Sequence, residues 1–162
     1  MSFYANHPDD LLFDAARKGD VSYINQLIAS GIDINIQNDK GFSPLIVAAY
    51  DGHQDATKVL LDANADVNAQ DVGGNTALMG VSFKGYPEVA RLLIDRGADL
   101  NLQNVNGGTA LMFAVQFGRN QLVKLLLDYG ADTSIRNNRD QNALDLAYQQ
   151  GNEEVLQLFN VV

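Results

Sequence analysis

GFSPLIVAAYDGHQDATKVLLDANADVNAQ, residues 41–70, carries the pattern that decides the fold. PLIVAAY reads as a short buried helix, and ATKVLL as one stripe of an amphipathic helix. Asp51, Gly52 and His53 lie between the two runs. Gly52 stands where the first helix must end and the chain reverse, a left-handed position that favours Gly. Asn64 follows the second helix, and Asn is the other residue that tolerates this conformation, so a helix terminator is expected there.

Working outward, the same pattern returns at one fixed interval: Gly19, Gly52, Gly85, Gly118 and Gly151 are equally spaced. Leu12, Leu45, Leu78, Leu111 and Leu144 keep the same step, and so do Asp33, Asp66, Asp99 and Asp132. The second terminator recurs as Gly31, Asn64, Gly97 and Gly130. Three independent series with one period mark a repeat architecture, in which each unit buries its apolar face against its neighbours.

These residues carry a family resemblance. Residues 41–70, the run GGTALMFAVQFGRNQLVKLLLDYGADTSIR (107–136) and the unit between them resemble the ankyrin repeat. That family's pattern is G-x-T-P-L-H-x-A-A, then G-H, then L-L-L and G-A-D-V-N. The resemblance covers about residues 5–160, in units 5–37, 38–70, 71–103, 104–136 and 137–162. It implies an all-α solenoid: five stacked helix-turn-helix units in a right-handed stack, joined by β-turn fingers that project to one side. A single domain over 1–162 is expected, with the first and last units as caps.

Several positions depart from the pattern. Its Pro survives only as Pro44, the others being Ala77, Ala110 and Ala143. Its His is replaced by Ile46, Met79, Met112 and Asp145, so the family's Thr–His hydrogen bond cannot form and apolar packing is the expected substitute. Asp14 falls where the middle units have Val47, Gly80 and Phe113, and Asp145, Gln149, Gln150, Glu153 and Glu154 polarise the last unit. The tail FNVV, residues 159–162, is apolar and is expected to fold back. Gly80 falls inside a helix, where Gly costs about 1 kcal/mol relative to Ala. The expectation is that it leaves room for the Phe113 ring. Phe113, Tyr148 and Phe159 are assigned to packing.

Composition narrows the chemistry. At 162 residues with 46% hydrophobic and 19% charged, the chain suits one folded domain with a sizeable core. No apolar run approaches the ~20 residues needed to span a bilayer. MSFYANHPDDLLFDAARKGD has no basic start followed by an apolar stretch, so no secretory signal is expected and a cytoplasmic location is the default. The absence of Cys excludes disulfides and Cys-based zinc or thiol chemistry. The net charge of −9 and eleven scattered basic residues make nucleic acid and anionic membranes poor partners and favour a basic protein surface.

The local motifs point to structure rather than catalysis. DVGGNTALMG (71–80) lacks the Lys of a phosphate-binding loop. GFSPL (41–45) ends in Leu45 where a nucleophile elbow needs Gly, and His7 and His53 both have structural explanations. DINIQND, DVNAQDV and DLNLQNV begin like calcium loops, but position six is Asn38, Asp71 or Asn104 and position twelve is Pro44, Ala77 or Ala110. Asp33, Asp66, Asp99 and Asp132 are expected to bond backbone amides and hold turns. Asp9–Asp10 and Glu153–Glu154 suit first helical turns.

The resemblance implies that a partner docks on a concave side of finger tips and first helices. The matching finger positions include Asp39, Lys40, Phe42 and Asn75. The matching helix positions are Tyr50, Asp51, Phe83, Lys84, Gln116 and Phe117, with Arg136 just before the last finger. Phe42, Tyr50, Phe83 and Phe117 read either as hot-spot anchors or as peripheral core over the helix ends. A monomeric, non-catalytic protein-binding module without cofactor or metal is expected: a stand-alone inhibitor, immunity or adaptor protein. A structural or self-associating protein is the alternative, followed by a small-molecule binder or enzyme using the groove.

Overall fold

Residues 7–159 are described in a computed structural model, which contains ten helices and no strand among them. They come in pairs: α1 Pro8–Lys18 with α2 Val21–Ala29, α3 Pro44–Tyr50 with α4 Gln54–Asp62, and α5 Ala77–Lys84 with α6 Pro87–Asp95. The series continues with α7 Ala110–Gln116 and α8 Asn120–Asp128, then α9 Ala143–Gln150 and α10 Glu153–Leu158. The odd-numbered helices pack against one another in an inner row, and the even-numbered helices form an outer row. This is the helix-turn-helix solenoid that the resemblance implies.

Local chemistry starts and stops each helix. Ser43, Thr76, Thr109 and Asn142 cap the inner helices, accepting from the backbone N–H groups of Ile46, Met79, Met112 and Asp145. Each such cap contributes on the order of 1 kcal/mol. Gly19, Gly52, Gly85, Gly118 and Gly151 all have positive φ, as do Gly31, Asn64, Gly97 and Gly130. Both terminator series therefore occupy the left-handed region. The lost family His is replaced as expected in the middle units, since Ile46, Met79 and Met112 are buried. In the last unit Asp145 completes a reciprocal cap, accepting from the Asn142 backbone N–H at 3.0 Å.

The core runs between the rows. Leu12, Leu45, Leu78 and Leu111 are buried on one side and Ile24, Leu60, Leu93 and Leu126 on the other. Full burial of each such side chain stabilises by about 1.5–3 kcal/mol. Phe159 packs partly buried against this core; residues 160–162 of the tail lie outside the described residues. Tyr148 corrects an expectation. It is 57% exposed rather than packed, although the same register one unit earlier holds the buried Val115. No described helix follows α9 on that side to cover it.

Among the described residues, one buried polar side chain is unsatisfied. Ser82 is completely buried where the neighbouring units carry Ala49 and Val115, and its Oγ has no hydrogen-bond partner. An unpaired buried hydroxyl costs about 1–3 kcal/mol. Ser82→Ala should therefore leave the thermal midpoint unchanged or raise it; a clear drop would show that the hydroxyl has found a partner.

Asp66, Asp99 and Asp132 each accept from the backbone N–H two residues on, at 2.8–3.0 Å, as does Asp33. That completes the turns as expected. The same segments are also laced across units: Asn35, Asn68 and Asn101 side chains each accept from the backbone N–H of the Asp 31 residues later, at 2.8 Å.

Candidate functional site

The fingers are tight loops closed by a side chain. Asn38 Oδ1 accepts from Lys40 and Phe42 N–H, and Asn104 and Asn137 do the same in later fingers. Between them, Asp71 Oδ1 accepts from Asn75 N–H at 2.8 Å. Neighbouring fingers are joined through the backbone: Val72 N–H donates to Lys40 O, Val105 to Gly73 O and Asn138 to Asn106 O. A rigid palisade results, standing beside the inner helices.

Between fingers and inner helices lies a groove of about 480 Å³. Met79 and Ile46 form its buried floor, while Phe42, Tyr50, Phe83 and Phe113 wall it. Asp51, Asp71, Asn75 and Arg17 supply its polar edges. The aromatic rings form a continuous run. Tyr50 and Phe83 lie with centroids 6.3 Å apart and planes at 6°, and Phe83 meets Phe117 edge-on at 4.6 Å. Phe117 in turn stacks on Phe113 at 6.3 Å. Tyr50 is 41% and Phe117 43% exposed, so the run is held by its neighbours yet open to solvent. Lys84 Nζ lies 4.9 Å from the Tyr50 ring centre, a cation–π contact that fixes the outer edge.

The structure brings Phe42, Tyr50, Asp51, Asn75 and Phe83 to this groove, with Lys84 and Phe117 flanking it. Gln116 lies elsewhere, in a polar hollow of about 320 Å³ that also includes Asn106 and Arg139. Asp39 and Lys40 are exposed on their finger. Arg136 is engaged within the protein: its guanidinium donates to Asp140 O at 2.6 Å and to Asp145 Oδ2 at 3.3 Å.

The expectation for Gly80 also changes. A Cβ at Gly80 would lie 3.2 Å from Tyr50 Cδ2, and no atom of Phe113 would come within 4 Å of it. Gly80 makes room for the ring of the preceding unit, not the following one. Its face of α5 looks back towards α3, and Tyr50, the last residue of α3, lies over it.

Two repeated devices were missed in the sequence, although the period could have exposed both. Gln37, Gln70 and Gln103 each donate to the carbonyl four residues on and to the carbonyl 33 residues on, at 2.8–3.3 Å. Arg136 takes over the first half of that role. Secondly, residues 53, 86 and 119 reach back over Gly19, Gly52 and Gly85, the glycines that end the inner helix of the preceding unit. His53 Nε2 lies 2.8 Å from Arg17 O, and Arg119 Nε donates to Phe83 O at 2.9 Å. Tyr86 covers Gly52 with its ring instead.

The carboxyl groups that titrate unusually lie outside the groove. Hydrogen bonds from Lys58 and Arg96 hold Asp62 below the usual carboxylate range, and those from Ser134 lower Asp132. Among the described residues no three His, Asp or Glu side chains are placed to share a metal ion. No described helix is long and apolar enough to cross a membrane.

A family model described as ankyrin repeats (3 copies) matches residues 12–104 and again residues 78–160. A Pseudomonas aeruginosa protein named for its ankyrin repeats is 42% identical over 48 residues, which is 30% of this chain and 28% of that relative. Ankyrin repeats generally serve as protein–protein interaction modules. Paired helices, joined fingers and a match across most of the length lead to one conclusion: the chain belongs to the ankyrin repeat family.

Proposed function

We propose that this chain is a non-catalytic binding module that captures a protein partner on the concave face of inner helices and fingers. One observation carries the reading: a run of aromatic rings, partly open to solvent, stands over an apolar floor. Rigid aromatics held in place before binding lose little entropy on docking and are enriched among interface hot spots. The acidic balance of −9 favours a partner with a basic surface. An inhibitor, immunity or adaptor role for a cytoplasmic monomer fits this reading, with the five units acting as one domain.

The test compares affinity capture by three proteins. Wild type and an outer-row control, Glu88→Lys, should retain the same partner. Tyr50→Ala combined with Phe83→Ala should lose it while keeping its helical circular dichroism and a cooperative melt. Retention by the double variant would remove the groove from the interface.

A further inference from the structure

The end of α3 differs from its equivalents in neighbouring units. The carbonyls of Arg17, Tyr50 and Phe83 occupy one register in successive units. The first is met by His53 and the third by Arg119. No described donor reaches the Tyr50 carbonyl, because Tyr86 turns its ring onto Gly52 there. The next residue sharpens the contrast: Lys18 and Lys84 occupy this register in units one and three, and Asp51 in unit two. A helix C-terminus is a region of negative potential that favours cations. Unit two thus adds a carboxylate to an uncapped carbonyl.

Asp51 is exposed, lines the apolar groove, and forms no ion pair with any described Lys, Arg or His. The nearby cations are occupied elsewhere. Arg17 bonds Asp14 at 3.0 Å, and Lys84 lies over the Tyr50 ring. Asp71, at the finger side of the same groove, also lacks a described cation partner.

We infer that the groove receives a protein segment that sets one bulky apolar side chain beside a lysine or arginine. The apolar side chain lies against Tyr50 and Phe83 over the Met79 floor. The cation meets the Asp51 carboxylate and the free Tyr50 carbonyl. This rests on the proposed binding face and adds the partner's chemistry. Apolar burial supplies affinity there and the charge supplies selectivity.

The probes are three N-acetylated, C-amidated tripeptides, Arg-Phe-Arg, Glu-Phe-Glu and Arg-Ser-Arg, titrated into isotope-labelled protein and followed by amide chemical shifts. Arg-Phe-Arg should perturb Gly80, Tyr50 and Asp51 saturably and bind about fivefold more tightly than Glu-Phe-Glu, the scale of one exposed ion pair. Arg-Ser-Arg should give no saturable shift. Asp51→Asn should bring Arg-Phe-Arg down to the level of Glu-Phe-Glu without changing the thermal midpoint. Equal affinities for the two Phe peptides, shifts centred on units four and five, or no binding of Arg-Phe-Arg would overturn the inference. The binding-face reading has its own test: loss of capture on removing Tyr50 and Phe83 does not depend on charge. If capture requires those rings but Asp51→Asn changes nothing, the inference alone fails.

Discussion

Gly74→Ala is expected to destabilise the stack by about 2–4 kcal/mol, whereas Gly73→Ala next to it should cost under about 1 kcal/mol. Both glycines belong to the same finger, so composition alone does not separate them. Gly74 has φ 77°, in the left-handed region, and a Cβ there would lie 2.9 Å from Asn104 Cα and 3.0 Å from Val105 N. Those obstacles are backbone atoms of the next finger and cannot rotate away. Relieving the clash would also pull apart the 3.0 Å bond between Val105 N–H and Gly73 O. At Gly73 the nearest atoms are side-chain ends, Asn75 Nδ2 at 3.0 Å and Asp71 Oδ1 at 3.3 Å, which can yield. Urea unfolding followed by circular dichroism measures both. Equal losses would mean that the fingers do not meet backbone to backbone.

The largest loss should come from Leu78→Ala, about 3–4 kcal/mol, against about 1–2 kcal/mol for Leu144→Ala. The two residues hold the same register in units three and five. Leu78 is 1% exposed between α3 and α7, so truncation leaves a cavity walled by helices already packed on both sides. Leu144 is only half-buried, and its surroundings can collapse or admit water. Chemical unfolding midpoints, taken with their slopes, separate the two. A comparable cost at both positions would show that burial does not grade along the stack.

The helices, both series of terminators and the Asp turns were legible because each answers to the backbone, and the backbone repeats with every unit. The groove was legible only in part. Phe42, Tyr50 and Phe83 were placed on one side by register, but register does not say how rings meet, nor which neighbour a given Cβ faces. Gly80 shows the limit: it borders Phe113 in the periodic alignment, and in space it faces Tyr50. Tyr148 shares the register of Val115, yet exposure depends on what lies on the next side, which one unit's sequence does not contain. Register placed Arg136 at the docking side but could not show that it is engaged, because its partners, Asp140 and Asp145, are brought to it by the finger's fold.

The glutamine rungs have a consequence for how such a chain can change in length. Every junction from Gln37 to Gln103 uses the same atoms at the same separation: one amide bonded to its own loop and to the loop one unit on. A deletion of residues 71–103 would bring Gln70 opposite the carbonyl of Arg136, the acceptor that Gln103 uses now. Removing a single position from a finger would leave 32 residues, instead of 33, between the glutamine before it and that glutamine's acceptor, putting that one rung out of step. As far as the rungs are concerned, whole units are therefore interchangeable parts: losing a complete unit leaves every remaining rung in register, and losing a lone finger residue does not.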